Sequence, residues 1–190
     1  FGVEGAKTKN LLIEDIDFSE NTYIGINLAV ADGAKVLRSK FNDISGYADE
    51  AYSIGINSVG SNAVIRNNTC ANLSRQPDSS SEMPGEGVCI LLSADTQGNT
   101  IEKNRLSNDR ETADIGIWIG EGGSNHIISS NQIIGFRTGI ISTGYSSAEI
   151  INNSLHLRSP LENSIGIVAN AGCHYGNEIA GFETKILGSI

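Results

Sequence analysis

Four carboxylates, Glu86, Asp109, Glu111 and Asp114, fall within one central stretch of a 190-residue chain whose single tryptophan, Trp118, follows shortly after. Hydrolysis of a glycosidic bond uses two carboxyl groups about 5 to 9.5 Å apart, one acting as acid and the other as nucleophile or base. Asp114 and Glu121 cannot form such a pair within one extended strand, because seven steps of roughly 3.3 Å separate them by more than 20 Å. Asp114 therefore finds its candidate partners in Glu86, on a neighbouring strand, and in Asp109 and Glu111 of its own loop. Arg137 has two readings: it holds a substrate carboxylate or hydroxyl beside Asp114, or it forms a cross-strand ion pair worth less than about 1 kcal/mol.

These residues can meet only if the backbone returns repeatedly to the same place, and a repeat does this. Ile13, Val36, Ile65, Ile101, Ile128, Ile150 and Ile179 recur 22 to 36 residues apart. Asn68, Asn104, Asn131 and Asn153 follow three positions behind, with Ile16, Ser39 and Phe182 in that place at the two ends. A second marker, Gly before an aliphatic residue, alternates with the first at Gly25, Gly55, Gly87, Gly116, Gly139 and Gly166. Repeats of 20 to 50 residues signal a solenoid or array. Each unit offers short β-rich runs broken by Gly, Asn and Ser, with no stretch of helical period. The units are too short for propeller blades and lack leucine-rich spacing. A coil of strands remains, each turn stacked about 4.8 Å from the last. The recurring Asn suits the bend between strands, where it tolerates the left-handed region and its amide bonds to the Asn of the next turn.

The pattern I-x-x-N-x-I followed by G-I-x-I resembles the right-handed parallel β-helix repeat of pectate-lyase-like proteins and phage tailspikes, over nearly the whole chain. The resemblance implies an all-β, single-stranded right-handed parallel β-helix of about six to seven coils with an Asn ladder from Asn68 to Asn153. It further implies extracellular or cell-surface polysaccharide recognition, with cleavage by hydrolysis or elimination as an added activity, and a homotrimer as the assembly. The competing expectation is a non-enzymatic structural or adhesive segment of a larger fibre or surface protein. The calcium-dependent lyases of this group place several Asp on neighbouring coils. Here those positions hold Asn, Cys, Trp, Ile and Val, so neither a metal nor another cofactor is expected.

Alternation in the Gly-marked strand predicts Ile24, Ile26 and Leu28 inward against Gly25 and Asn27 outward. Carried along the chain, the inward column is Ile26, Ile56, Val88, Ile117, Ile140 and Ile167. The outward column is Asn27, Asn57, Cys89, Trp118, Ile141 and Val168, polar at first and then apolar. Such a strip calls for cover, which a sugar stacked on Trp118, a second subunit or the chain's own loops would supply. A further outward column would hold Tyr23, Ser53, Gly85, Asp114, Arg137 and Ser164. Strict alternation points Glu86 inward unless the strand starts at Gly87. The longest insertions, 48–52, 75–86 and 109–113, should project from one corner and wall a groove against the turns after Leu92 and Gly120. Trp118, Arg137, Asn57 and Glu121 are the candidate substrate-binding residues of that groove.

A net charge of −9 argues against nucleic acid, whose phosphates need a basic face. No run of 18 apolar residues is present to span a membrane. Residues 1–190 read as one β-helix domain, a module of a longer chain that is extracellular, on a cell surface or on a virion. Three cysteines cannot all pair, and Cys70 reads as a small inward thiol. His126, His156 and His174 share no spacing and read as surface residues.

Overall fold

A computed structural model describes residues 3–4, 7–19, 24–46, 52–75, 86–109 and 115–188. Every strand pairing in it is parallel, and three long sheets share the chain in rotation. The fold is a right-handed parallel β-helix. Each coil starts in a base sheet, which opens with Leu12–Glu14 and ends with Gly172–Tyr175. It passes through a tight turn into a side sheet running from Asp17–Ser19 to Glu178–Ala180. It then crosses a corner of variable length into a front sheet of eight strands, from Val3–Glu4 to Thr184–Leu187. The base and side sheets each have seven strands, one per coil. Among the described residues no helix is long and apolar enough to cross a membrane.

The interior is built from stacked columns. The base sheet stacks Ile13, Val36, Ile65, Ile101, Ile128 and Ile150 in register. The side sheet stacks Phe18, Phe41, Cys70, Leu106, Ile133, Leu155 and Ile179. The front sheet stacks Ile26, Ile56, Ile90, Ile117, Ile140 and Ile167, each at most 1% exposed. Full burial of one such side chain stabilises the fold by about 1.5 to 3 kcal/mol. Ile179 therefore belongs to the side sheet, one column beyond the place its sequence spacing suggested, and His174 occupies the base position opposite Ile150.

The Asn ladder runs one coil further than expected, ending at Asn177 and not at Phe182. Each Asn Oδ1 accepts from the backbone N–H and the Nδ2 of the Asn one coil earlier, at 2.9 to 3.1 Å from Asn68 to Asn177. Each Nδ2 also donates to a carbonyl of the earlier coil, such as Asn104 to Ile65 at 2.9 Å and Asn177 to Ile150 at 2.8 Å. Buried amides are thereby satisfied along the coil axis. The left-handed residue of this turn is the one before the ladder Asn: Asn67, Lys103, Ser130 and Asn152 have φ of 55 to 57°. An exposed residue takes the unusual backbone while the ladder Asn keeps a geometry that aims its amide inward.

A second ladder crosses the turn between front and base sheets. Asn99 Oδ1 accepts from Ala63 N–H at 2.7 Å, and His126 Nδ1 accepts from Asn99 N–H at 3.2 Å. His126 is fully buried, which corrects its reading as a surface residue; the imidazole does for Asn99 what an Asn amide does for Ala63. His156 is exposed, whereas His174 is half-buried in the base sheet of the last coil.

The third coil departs from the pattern. Its front strand, Glu86–Leu92, begins at Glu86 and pairs Val88 with Ile54 and Ile115, so Ile90 fills the column assigned to Val88. Cys89 thus stands in the glycine position and Gly87 lies opposite Ser53. A Cβ at that position faces the interior: on Gly25 it would fall 2.8 Å from Phe41 Cδ1, and on Gly55 it would lie 3.3 Å from Cys70 Sγ. Cys89 instead reaches the Cys70 sulfur, and the two form a buried disulfide with Cα atoms 5.9 Å apart. The expectations of a free Cys70 thiol and an outward Cys89 both fail because the pairing register is slipped by two. Cys173 is exposed and unpaired.

Candidate functional site

The inward glycine position changes the face of the residue before it. Ile24, Ile54, Val88 and Ile115 form a buried cluster separate from the main core, with half-buried Leu91, Trp118 and Ile141 packed against it. Ile24 was expected inward. Gly25 faces Phe41 and Ile44 in the interior, and Ile24 packs with the residues of the outer face.

The outer face of the front sheet consequently carries two adjacent apolar columns. One is that cluster, continued by half-buried Thr138, Ile165 and Thr184. The other is Asn27, Asn57, Leu91, Trp118, Ile141, Val168 and Leu187, with Leu91 in the place expected for Cys89. At its polar end, Asn57 Nδ2 donates to Asn27 Oδ1 at 3.0 Å and Ser93 Oγ donates to Asn57 Oδ1 at 2.9 Å. Further along, Trp118 Nε1 donates to Thr143 Oγ1 at 3.4 Å, and Thr143 Oγ1 donates to the Ile119 carbonyl at 3.1 Å. The indole is thus fixed at its polar edge while its ring lies in the strip.

The turns that follow the front sheet form one rim. Asp95 and Glu121 are exposed there, and Asp95 N–H donates to the Glu121 carbonyl at 2.9 Å. Glu121 lies beneath Gly144, where a Cβ would come within 2.5 Å of its Cγ. The next residue, Tyr145, is 91% exposed.

The opposite rim is the variable corner between side and front sheets. The fifth coil crosses it between Ile134 and Thr138, while the sixth takes the longer path from His156 to Ile165. A notch results, lined by Asn108, Asp109, Gly135, Leu157, Arg158, Ser159 and Leu161. Arg158 Nη1 donates to Asp109 Oδ1 at 2.5 Å, tying the sixth coil to the fourth across the fifth. Asp109 N–H donates in turn to Asn72 Oδ1 at 3.2 Å.

Several candidate residues meet on this face and others do not. Asn57 and Trp118 occupy one column two coils apart, roughly 10 Å at the sheet spacing, and Glu121 follows the Trp118 strand. Arg137 and Asp109 stand at the opposite rim. Arg137 is half-buried with its Nε enclosed and making no hydrogen bond, and Ser53 and Ser164, expected outward in the same column, are fully buried. Glu86 is the first residue of its strand, opposite Tyr52. Asp114 and Glu111 lie outside the described residues, and with them the proposed pairings of Asp114 with Arg137 or Glu86. Of the insertions expected at 48–52, 75–86 and 109–113, residues 48–51, 76–85 and 110–113 lie outside them too. Sequence reasoning missed Leu91, Ser93, Thr143 and Tyr145. Leu91 was within reach, since aligning Cys89 with the glycines puts Ile90-Leu91 over Ile56-Asn57.

A parallel β-helix whose front sheet bears an apolar floor between two polar rims is the class that fold and face define. Comparison of the chain with protein-family models, with curated proteins and with solved structures returned no match.

Proposed function

We propose that this protein recognises an extracellular or cell-surface polysaccharide along the outer face of its front sheet, as the resemblance to tailspikes and pectate-lyase-like proteins implies. The observation that carries this reading is the column Asn57, Leu91, Trp118 and Ile141, in which an indole held by Thr143 lies among apolar neighbours and adjoins side-chain amides and hydroxyls. A pyranose ring presents an apolar C–H face to such a floor and hydroxyls to such rims, which is the pattern of a ligand site. The Cys70–Cys89 disulfide supports an oxidising, extracellular location. Cleavage would be a further activity of the same face, with Asp114, Glu86, Glu111 and Asp109 as its carboxylates. Binding across a glycan array, with a reducing-end assay on every polymer bound, tests both steps. Binding without new ends leaves a recognition module.

The second reading is a structural or adhesive segment that packs as a homotrimer. It is favoured by the continuation of the apolar column through Val168 to Leu187, which is 51% exposed. Native mass measurement separates the two: a stable trimer that loses its association on Trp118→Arg would make the strip a subunit contact.

A further inference from the structure

We propose, resting on the glycan reading of this face, that Tyr145 is a second stacking platform for the same sugar chain, paired with Trp118 across the turn that follows the fifth front strand. Trp118 and Ile141 are neighbours in adjacent strands, and Tyr145 lies four positions beyond Ile141. From the strand spacing and the reach of four residues, the Cα atoms of Trp118 and Tyr145 are at most about 15 Å apart. The polar edge of the indole already meets this turn, since Trp118 Nε1 donates to Thr143 Oγ1, two residues before Tyr145.

Tyr145 is 91% exposed, whereas Tyr175, the next most exposed large apolar side chain among the described residues, is 59% exposed. A single exposed apolar residue is ordinary on a protein surface. This one differs in the rigidity of the turn that carries it. Ser142 and Ser146 are fully buried at the base of the turn, with their Oγ atoms 2.6 Å apart. Ser146 donates to the Thr143 carbonyl from its N–H at 3.3 Å and from its Oγ at 2.6 Å. Asn170 Nδ2, from the next coil, donates to the Gly144 carbonyl at 3.3 Å. Gly144 has φ of 62°, and a Cβ there would meet Glu121 Cγ, so the preceding coil supports the tip as well. The backbone thus holds the phenol at the rim while its ring stays open, which lowers the ordering entropy that a ligand must overcome.

Between the two rings lies the exposed Glu121, whose carboxylate accepts from sugar hydroxyls, and the Tyr145 hydroxyl both donates and accepts. A phenol with an apolar body and a polar tip suits a pyranose as the indole does. The turns 29–32, 59–62, 93–98 and 120–125, which leave the other front strands, carry no aromatic side chain. A sugar chain that meets both rings therefore leaves the coil axis over the Tyr145 turn, and its hold on the second ring depends on its length.

The test is titration calorimetry with di- to hexasaccharides of cellulose, β-mannan and polygalacturonate. At least one series should bind, with affinity rising once the chain is long enough to reach both rings. Tyr145→Ala should weaken the longest members about tenfold, the scale of one stacked ring, and leave the disaccharide within about twofold. Tyr145→Phe, which keeps the ring, should retain most of the affinity. The thermal midpoint of Tyr145→Ala should match that of the wild type, because an open ring contributes little to folding. Wild-type affinity of Tyr145→Ala at every length, in a series that Trp118→Ala weakens, would overturn the second platform and leave the glycan reading standing. No binding by any series would overturn both. Self-association of the wild type that Tyr145→Ala abolishes would also overturn the proposal, since the ring would then be a contact with a second copy of the chain.

Discussion

Asn104 accepts two hydrogen bonds from Asn68 at its Oδ1, from the backbone N–H at 2.9 Å and from Nδ2 at 3.1 Å, and hands the same pattern on to Asn131. Both residues are at most 2% exposed, so neither amide can turn to water if its partner is lost. Asn104→Ala would orphan the Asn68 backbone N–H and take one hydrogen bond each from Asn68 Nδ2, which keeps the Val36 carbonyl, from the Ile65 carbonyl and from Asn131 Oδ1, which keeps the residue-104 N–H. At about 1 to 3 kcal/mol for the orphaned buried donor and less for each weakened group, the expected loss is about 2 to 3 kcal/mol. Asn177→Ala, at the half-buried end of the ladder, should cost less. Urea denaturation of the two variants checks the order, and equal losses would show that the ladder is not cooperative.

Cys70 and Cys89 are separated by 19 positions and close the connection that carries the longest insertion. Loop-closure entropy for a ring of that size corresponds to about 3 kcal/mol. The double variant Cys70→Ala/Cys89→Gly, which restores the glycine found at this position in the other central coils, should fold with midpoint stability reduced by about that amount. Wild-type protein under reducing denaturation should fall to the same level. No difference between oxidised and reduced wild type would contradict a role for the bridge.

His126 is buried and accepts at Nδ1 from the Asn99 N–H, so its neutral form is the one the fold uses. Burial pushes its pKa below the ordinary histidine value of 6.5, with the Thr96 carbonyl opposing part of that shift. The unfolded chain therefore binds more protons than the folded one just below pH 6.5, and stability is full above that pH and falls as the pH drops toward the folded pKa. His126→Asn would put an amide acceptor where the preceding coil already has Asn99. It should remove this component of the stability slope between pH 7 and 5, as followed by thermal unfolding; an unchanged slope would acquit His126.

Gly116 has its Cβ direction blocked by the Gly139 carbonyl at 2.6 Å and Ile133 Cγ2 at 2.8 Å. Both are parts of the next coil and cannot withdraw independently. Gly116→Ala should destabilise by about 1 to 3 kcal/mol through overpacking. Thermal unfolding with an unshifted midpoint would show that the coils separate more readily than the stacking suggests.

Trp118→Ala should weaken glycan binding by about 1 to 3 kcal/mol, on the scale of aromatic stacking against planar ligands. Trp118→Phe should retain part of that affinity, since a ring remains over the same neighbours. Asp114→Asn should leave binding intact while abolishing any cleavage, as read by reducing ends. Titration calorimetry in which Trp118→Ala binds as wild type does would remove the strip from the ligand site.

The sequence by itself determined the coil. A residue that must face the axis must do so once per turn, so Ile65, Ile101, Ile128 and Ile150, with Asn68, Asn104, Asn131 and Asn153 three positions behind each, declare their stacking without any coordinates. The same repetition exposed Trp118 and Asn57 as outward residues of one face. Tertiary structure decided what periodicity leaves degenerate. The third coil could be read with Gly87 or with Cys89 in the glycine position, since both precede aliphatic residues. Hydrogen-bond register and the reach of Cys89 to Cys70 choose the second and bring Leu91 beside Trp118. At the last coil, Ile179 satisfies the marker pattern in either of two sheets, and only its pairing with Leu155 assigns it to the side sheet and extends the ladder to Asn177. His126 carries no local mark of burial either; its place is set by Asn99, a residue 27 positions away that needs an acceptor. Local pattern specifies what repeats in every coil, whereas a departure from the repeat is resolved by the neighbours one coil above and below, which sequence proximity does not reveal.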